Sequence, residues 1–385
     1  MEQHVHARGG TGMTDSLIIT SGWHPALARM EMQALMPAAQ VVHQRLLSVP
    51  DATPATRSSL LGGVLSVFHA LEAESGRPAL ELADVVDDWF DGATPFVARG
   101  ERLGPRIGDW HSREVEVAFG GAIHAKGHPV NLHHPEAVVR LLAVDREDVE
   151  THPDPAGDTF ATPLHIIGLE AEKAATWRHR IAPERPFFKP VSLDPRLARA
   201  MVNLGAPAGG RLLDPFCGTG GILVEASLVG IEACGGDLDA EMVAGTEENV
   251  RHAQTHWAGS GDATVRVASA TDIPQHWADK GPFDAFVFDP PYGRNAWKSS
   301  EGRVLFDACI EGCAALAKSD ARLVTLLPWS PDSIGEADPD AQVLGRPFSE
   351  ILDTLAASGW TVENTAFIRV HASLARMLLV CTRAA

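Results

Sequence analysis

The sequence almost lacks tyrosine. Tyr292 is the single tyrosine among 385 residues, whereas phenylalanine occurs 14 times and tryptophan 9 times. Phenylalanine and tryptophan can therefore fill the core without phenol rings. The one tyrosine directly follows Asp289, Pro290 and Pro291 at the end of the apolar run FDAFVF. Because open α/β sheets bind ligands at the carboxyl ends of their strands, this position indicates a functional role.

Other absences exclude whole classes of protein. The longest apolar runs, such as LLGGVLSVF and RLVTLLPW, are far shorter than the roughly 20 residues that a membrane helix requires. The opening MEQHVHARGGTGMTDS lacks the apolar segment of a signal peptide, and we expect residues 1–15 to be a disordered tail. The five cysteines form no CxxC pair, so neither a disulfide framework nor a zinc site is predicted. We expect a cytoplasmic protein without a metal ion or a membrane partner.

Positive charge is scarce overall but locally concentrated. The net charge of −18 argues against a nucleic-acid partner. Basic residues nevertheless outnumber acidic ones from Lys173 to Arg199, and the stretch from Phe96 to Arg140 is rich in arginine and histidine. Solvated helix faces also carry such runs, so charge alone leaves both interpretations open. In the histidine-rich HAKGHPVNLHH, no cysteine or acid has ligand spacing, so an RNA-facing loop is favoured over a metal site.

The hydrophobic pattern changes near residue 190. The second half alternates strands (RLLDPF, IEACGGD, TVRVAS, FDAFVFD, ARLVTLLPW) with helices, which is typical of a parallel α/β sheet. The last two strands, TVENTAFIRV and ARMLLVCTR, are too close for a parallel crossover and must form an antiparallel hairpin. We predict a seven-stranded, doubly wound, mostly parallel sheet with one reversed strand. The first half mixes strands and helices without this rhythm, which indicates an α+β region.

A glycine-rich turn, LLDPFCGTGG, follows the first strand of the second half. Glycines let the backbone approach a ligand, and the following helix presents free N–H groups there. A nicotinamide-binding GxGxxG motif would need a third glycine at position 223, where the chain has Leu223. Asp237, at the end of the second strand, can accept hydrogen bonds from ribose hydroxyls, and Asp214 can orient the turn or a cationic ligand. Helix capping is the alternative role for both aspartates.

The sequence DPPY ends the fourth strand at the same edge of the sheet. Two prolines fix the backbone and remove two N–H donors, so that nearby carbonyl groups point outward as acceptors. Asp289 adds a carboxylate and Tyr292 a flat ring for stacking. Together they predict a receptor for a planar ring that carries an exocyclic amine.

The glycine turn and DPPYGR together resemble amino-methyltransferases that use S-adenosylmethionine. More narrowly, the segments RPFFKPVSLDPRLARAMVNL, DPFCGTGGILVEA, GGDLD, DPPYGR and RVHASLARMLLV resemble the archaeal tRNA guanosine-10 N2-methyltransferase family. This resemblance implies a Rossmann-like methyltransferase domain over 191–385, with S-adenosylmethionine as cofactor and tRNA as substrate. The order FVARGERLG, SREVEVAFGGAI, HPVNLHHPEAVVRLLAVD, HIIGL resembles a THUMP domain, an RNA-binding module. It implies a ferredoxin-like domain over 16–75, a THUMP-like domain over 76–168 and a basic linker over 169–190.

The resemblance also assigns site residues. For catalysis, the carboxylate of Asp289 and the carbonyl of Pro290 would each accept one N–H of the guanine amine, with Pro291 holding the turn and Tyr292 stacking on the flipped base. The cofactor-binding residues it implies are Pro190, Asp214, Phe216, Cys217, Gly218, Thr219, Gly220, Asp237, Leu238, Ser269, Ala270 and Asp289. The RNA-binding residues predicted from the charge pattern and the resemblance are Arg99, Arg102, Arg106, Lys126, Arg178, Arg180, Arg185 and Arg294.

Two residues depart from the family pattern. Ser269 stands where the family usually has an acid that holds the adenine amine, with Asp272 three residues further on, and Lys189 replaces the expected histidine before Pro190. A different amino target (another RNA guanosine, DNA adenine or a protein glutamine) would keep the same second half, and a non-catalytic RNA-binding subunit is the alternative of another class. The resemblance leaves open whether one or two methyl groups are added and whether a small zinc-binding activator protein is required.

Overall fold

The structure is a computed structural model. It describes residues 16–49, 59–72, 82–89, 92–103, 110–144, 164–172, 176–190, 192–206, 209–291, 300–372 and 374–383. The described residues form two compact units. The first takes in nearly all of those before Thr176, and the second runs from Thr176 to the end of the described chain.

The first unit is built on one seven-stranded sheet in the order β2-β3-β1-β4-β7-β6-β5. Its neighbours are antiparallel except for the parallel pair β5–β6. The strands are β1 (Ser16–Thr20), β2 (Gln40–His43), β3 (Leu46–Val49), β4 (Gly62–Glu72), β5 (Phe96–Leu103), β6 (Ala137–Val144) and β7 (Leu164–Glu172). The described helices of this unit are α1 (Pro25–Leu35) and α2 (Ser112–Ala125), with a 3-10 helix at Ala83–Asp88.

This unit is α+β, as the sequence predicts. Strands from both predicted N-terminal segments, 16–75 and 76–168, lie in the same sheet, because β4 pairs along its length with β7. Phe119 and Ile123 of α2 pack against Phe96 of β5. The division into a ferredoxin-like and a THUMP-like domain stays a prediction, and the tail over 1–15 lies outside the described residues.

The predicted linker over 169–190 requires correction. Its first residues continue strand β7, which ends at Glu172, because HIIGLEAE keeps the extended backbone that pairs with β4 and β6. From Thr176 onward the chain belongs to the second unit. There it forms two short 3-10 helices, Arg178–Arg180 and Ala182–Glu184.

The second unit contains the predicted seven-stranded sheet, in the order β10-β9-β8-β11-β12-β16-β15. Every neighbouring pair is parallel except those made by β16, which is the one reversed strand. The strands of this unit are β8 (Arg211–Asp214), β9 (Glu232–Asp237), β10 (Ala263–Val267), β11 (Phe283–Phe288), β12 (Ala317–Trp329), β13 (Gln342–Val343), β14 (Arg346–Pro347), β15 (Trp360–His371) and β16 (Leu374–Arg383). Strands β13 and β14 form a separate two-stranded ribbon that sequence analysis did not predict.

Helices cover both faces of this sheet, as expected for a doubly wound fold. They are α3 (Pro195–Gly205), α4 (Gly221–Leu228), α5 (Ala240–His256), α6 (Ile273–Trp277), α7 (Ser300–Ala315) and α8 (Phe348–Ala357). Because successive strand residues point to opposite faces, Phe286 and Phe288 of β11 pack with Trp277 and Phe306, whereas Val287 faces Gly205 of α3. The continuous apolar run FDAFVF is thus buried on both sides, which fixes β11 at the centre of the sheet. In the part of the chain that the structure describes, none of the helices has the length and apolar character needed to cross a bilayer.

Candidate active site

A cavity of about 650 Å³ opens at the carboxyl edge of the parallel strands in the second unit. Its walls include Asp214 at the end of β8, Asp237 at the end of β9 and Asp289 directly after β11. The strand order reverses between β8 and β11, so the cavity lies at the topological switch point where such sheets bind ligands. Its volume falls in the usual range for small-molecule and cofactor sites.

The glycine turn after β8 forms one wall. Gly218 and Gly220 have left-handed backbone angles, with φ of 53° and 76°. A Cβ at Gly220 would lie 2.7 Å from Cγ2 of Thr246, so a larger residue is excluded both by conformation and by space. Gly220 thereby gives the turn its shape, while its neighbours Gly218 and Thr219 line the cavity.

Asp214 is a buried carboxylate at the base of the turn. It is 1% exposed, and its Oδ1 accepts a hydrogen bond from the backbone N–H of Phe216 at 3.0 Å. Burial raises the pKa of Asp214 well above its usual value. The Phe216 N–H opposes this change, and the charges of Asp237 and Asp289 add to it. A cationic ligand in the cavity would restore the charged form of Asp214.

Asp237 ties the glycine turn to the end of β9. Its Oδ2 accepts from the N–H of Gly218 at 3.0 Å and its Oδ1 accepts from the N–H of Asp239 at 2.9 Å. Each carboxylate oxygen has a second lone pair, so Asp237 can still accept hydrogen bonds from ribose hydroxyls. Leu238 beside it is 72% exposed and lines the cavity together with the small side chain of Ala270. These apolar surfaces can cover the faces of a planar ring.

Phe216 and Cys217 complete the turn. The ring of Phe216 lies 5.7 Å from that of Phe288, which anchors the cavity wall to the core. Burial raises the pKa of the Cys217 thiol well above its usual value, so Cys217 is a packing residue and not a nucleophile. All five cysteines are buried and unpaired. Among the described residues, no cluster of three or more histidine, cysteine or acidic side chains has metal-binding geometry.

The segment before α3 forms a second wall. The side chain of Asn249 in α5 accepts from the N–H of Phe187 at 3.0 Å and donates to the carbonyls of Phe187 and Thr219 at 2.7 and 2.9 Å. Gly245 allows this approach, because a Cβ there would collide with the ring of Phe187. Ser192 then reaches the cavity with its hydroxyl 2.9 Å from that of Thr219. Sequence analysis missed Asn249 and Gly245, because their partner lies about 60 residues away in the chain.

The wall after β11 holds three of the four predicted catalytic residues. Asp289, Pro290 and Pro291 all line the cavity. Oδ2 of Asp289 accepts a hydrogen bond at 2.7 Å from Nη1 of Arg376, a cavity residue that sequence analysis quoted only within RVHASLARMLLV. Tyr292 and Arg294 lie outside the described residues.

Three of the predicted cofactor-binding residues, Pro190, Gly220 and Ser269, do not line the cavity, and Gly220 acts only through the shape of the turn. Pro190 is exposed and does not line the cavity, which Ser192 and Leu193 reach instead. Ser269 does not line it either: its hydroxyl lies 2.7 Å from that of Thr271, and the next residue, Ala270, lines the cavity instead.

Two of the predicted RNA-binding residues are buried. Arg180 and Arg185 are 5% and 3% exposed. Nε of Arg180 lies 2.9 Å from Oε1 of the fully buried Glu225, and Nε of Arg185 donates to the carbonyl of Arg180 at 2.8 Å. Burial also lowers the pKa of the Arg185 guanidinium. The RNA-binding prediction for both is wrong, because a buried side chain cannot reach a phosphate.

The other predicted RNA-binding residues have varied surroundings. Arg102 and Arg178 are exposed. Arg99 is half-buried and donates to the carbonyl of Ala98 at 3.1 Å, and Lys126 pairs with Asp84 at 2.7 Å. Arg106 lies outside the described residues.

The chain is similar to proteins of one functional family. A profile described as an RMKL-like methyltransferase domain matches residues 183–333. The tRNA (guanine(10)-N2)-dimethyltransferase of Methanocaldococcus jannaschii is 31% identical over 74% of this chain and 84% of that protein. The enzyme of the same name from Methanothermobacter thermautotrophicus is 29% identical over 96% of this chain and 99% of its own length. The crystal structure of TrmN from Thermus thermophilus covers 96% of this chain and 99% of that chain, with a TM-score of 0.52 and 22% identity, and therefore shows a shared fold.

Proposed function

The chain belongs to the tRNA guanosine-10 N2-methyltransferase family, and we propose that it transfers the methyl group of S-adenosylmethionine to the N2 amine of a guanosine in tRNA. The observation that carries this proposal is the shared cavity. The glycine turn, Asp237 and the Asp289-Pro290-Pro291 segment all border it, so a methyl donor and an acceptor amine would meet there.

The residues of the turn fit the cofactor. Asp237 would accept hydrogen bonds from the ribose hydroxyls, and Leu238 and Ala270 would cover the faces of the adenine ring. Asp214, whose pKa is raised by burial, would face the positive charge that the cofactor brings. When bound, the cofactor supplies an electrophilic methyl group on a sulfonium.

Asp289 and Pro290 would prepare the acceptor. The lone pair of guanine N2 is delocalised into the ring, which makes the amine a poor nucleophile. An N–H donated to the Asp289 carboxylate and another donated to the Pro290 carbonyl would turn the lone pair toward the methyl group. As the new C–N bond forms and the C–S bond breaks, the nitrogen becomes acidic and loses one proton. Positioning the two reactants in line contributes most, up to about 7–11 kcal/mol of the barrier. Tyr292 would stabilise the bound, flipped base by about 1–3 kcal/mol through stacking.

We place the target at position 10 of tRNA and expect two methyl groups, since one N–H remains on N2 after the first transfer. The first unit would act as a THUMP-like RNA-binding region. Exposed Arg102 and Arg178 would contact phosphates.

The buried, unpaired thiols suit a reducing compartment, and we propose the cytoplasm as the location.

A small zinc-binding activator would have a natural docking edge. Strand β10 lies at the end of its sheet, and its outer edge pairs with no other strand of the described residues. Its residues are half-exposed or exposed, with Val267 at 53%. An exposed edge of this kind can receive an additional strand from a partner.

Methylation of unmodified tRNA transcripts tests the proposal. The pure protein, with and without a candidate activator, is incubated with labelled S-adenosylmethionine, and the nucleosides are analysed by mass spectrometry. We expect N2-methylguanosine and N2,N2-dimethylguanosine, and no product with a transcript that lacks guanosine at position 10. Label only in adenosine, or no label in any combination, would refute the proposed function.

A further inference from the structure

The cavity contains four acidic side chains and one basic side chain among the described residues that line it. The acids are Asp214, Asp237, Asp239 and Asp289, and the basic residue is Arg376. Like charges that line one cavity repel each other, and a cation placed among them offsets that repulsion. Arg376 therefore supplies the positive charge that offsets part of the negative charge of the cavity wall.

The topology explains how Arg376 reaches the site. Strand β16 runs opposite to its parallel neighbours, so it begins at the edge of the sheet where they end. Arg376 is the third residue of this strand and lies opposite Pro328 of β12 and Ile368 of β15. The reversed strand thus places a cation among the aspartates that follow the parallel strands.

The contact between Arg376 and Asp289 is close and partly shielded. Nη1 of Arg376 lies 2.7 Å from Oδ2 of Asp289, and the two side chains are 17% and 16% exposed. Charge-assisted hydrogen bonds of this length are about twice as strong as neutral ones. The main chain of Asp289 is already fixed by β11 and the two prolines that follow, so the remaining freedom is rotation about the two bonds of its side chain. The guanidinium restricts that rotation.

We propose that Arg376 is a positioning residue for methyl transfer: by binding one oxygen of the Asp289 carboxylate, it sets the direction in which the other oxygen meets the guanine amine. This inference rests on the proposed function and deepens it. It also explains why a carboxylate can serve at this place in an acidic cavity, since Arg376 supplies the counter-charge.

A double-mutant cycle tests the inference. Arg376→Met should lower kcat by about 100-fold, because a small misplacement of a reactive group has effects of that size, while KM for S-adenosylmethionine changes by less than about threefold. In an Asp289→Asn background, Arg376→Met should lower kcat by less than about threefold, because a neutral amide needs no counter-charge. Arg376→Lys should retain an intermediate kcat, since lysine keeps the charge but not the planar fork.

Arg369→Met is the matched control. Arg369 belongs to the same hairpin, and its side chain donates an exposed hydrogen bond to the carbonyl of Pro331 at 3.0 Å. Its loss should leave kcat within about twofold of the unchanged protein.

A second readout needs no tRNA. Thermal unfolding of the four proteins of the cycle should show that Arg376→Met lowers Tm less in the Asp289→Asn background than in the unchanged protein. The Tm comparison still tests the interaction between Arg376 and Asp289 if Asp289→Asn abolishes turnover. Equal effects of Arg376→Met in both backgrounds, in kcat or in Tm, would overturn the inference, as would a change in KM alone. An unchanged protein that methylates no tRNA would refute the proposed function, while the unfolding cycle would still report whether the pair acts as a unit.

Discussion

Three aspartates at the ends of three strands differ in what surrounds them. Asp214 is buried, and its one hydrogen bond in the turn comes from the N–H of Phe216. Asp237 binds two backbone N–H groups and stays half-exposed. Asp289 binds the guanidinium of Arg376. Since the same side chain takes on different properties in each environment, the three residues should respond differently to substitution.

Asp289 and Asp237 should separate chemistry from cofactor binding. Asp289→Ala should lower the rate of methyl transfer by at least about 100-fold, a typical loss for one positioned group, and leave the Kd for S-adenosylmethionine within about threefold. Asp237→Ala should weaken cofactor binding by about 10-fold or more, because it loses hydrogen bonds that each contribute about 1 kcal/mol. Calorimetric titration and single-turnover kinetics measure the two effects. A reversed pattern would contradict the assigned roles.

Asp214 should make cofactor binding depend on pH. Its pKa is raised in the free protein, and a nearby cationic group favours the carboxylate form. Binding should therefore release a proton at pH values below the raised pKa, and affinity should increase as pH rises through it. Calorimetry in buffers of different ionisation enthalpy measures this release, and comparison with S-adenosylhomocysteine tells whether the sulfonium is responsible.

Asp214→Asn should abolish the proton release. Asp279→Asn is the matched control, because Arg266 lowers the pKa of Asp279 to about 2 and this group stays charged throughout. Proton release that persists in Asp214→Asn would assign the titration to another group.

At the scale of elements, a buried ionic cluster attaches the chain before α3 to helix α4. Glu225 of α4 is fully buried and contacts Arg180 at 2.9 Å and Arg199 of α3 at 2.7 Å. Arg185 lies beside them, and its two Nη atoms have no hydrogen-bond partner among the described residues. One buried anion therefore serves several buried cations. The cluster holds in place the segment that carries Ser192 to the cavity.

Glu225→Gln should destabilise the protein strongly. Removing the anion leaves buried arginines without a counter-charge, which typically lowers the free energy of unfolding by about 3–5 kcal/mol. Glu232→Gln is the control: Glu232 pairs with Arg211 at 2.8 Å, but the side chains are 38% and 34% exposed. Such a pair contributes less than about 1 kcal/mol. Urea denaturation compares the free energies of unfolding of the two variants. Equal decreases would show that the buried cluster contributes no more to stability than the exposed pair.

At the scale of the whole molecule, the acidic body limits where RNA can bind. With a net charge of −18, binding must depend on local groups of exposed cations. Arg180 and Arg185 are buried and do not belong to such a group, whereas Arg102 and Arg178 are exposed. The electrostatic footprint is therefore smaller than the sequence indicates.

Salt dependence of tRNA binding measures this footprint. Arg102→Ala and Arg178→Ala should each reduce the slope of log K against log salt by about 0.7–0.9, the contribution of one neutralised phosphate. Arg211→Ala, at the amino end of β8 and therefore opposite the cavity edge, should leave the slope unchanged. Transfer at saturating tRNA should persist in all three variants. Unchanged slopes for Arg102 and Arg178 would remove both from the RNA path.

The sequence by itself determined the architecture of the second unit and the centre of its site. Alternating apolar runs and helices predict the seven strands, and the short connection before ARMLLVCTR predicts the single reversed strand, because both depend on local periodicity and chain reach. The glycine turn and the turn at Asp289-Pro290-Pro291 can likewise be predicted from the sequence, since turns depend on adjacent residues. Helices α3 and α6 and the β13–β14 ribbon were missed.

Only the tertiary structure decided which charged residues are surface groups and which are interior partners. Arg178 and Arg180 stand two positions apart in one basic run, yet the first is exposed and the second pairs with a glutamate 45 residues away. Arg376 meets Asp289 across 87 residues, and Asn249 reaches Phe187 across 62. These partners come together through the order and direction of the strands and the packing of helices on them. Local sequence patterns do not encode that long-range geometry, because each residue's burial depends on elements far from it in the chain.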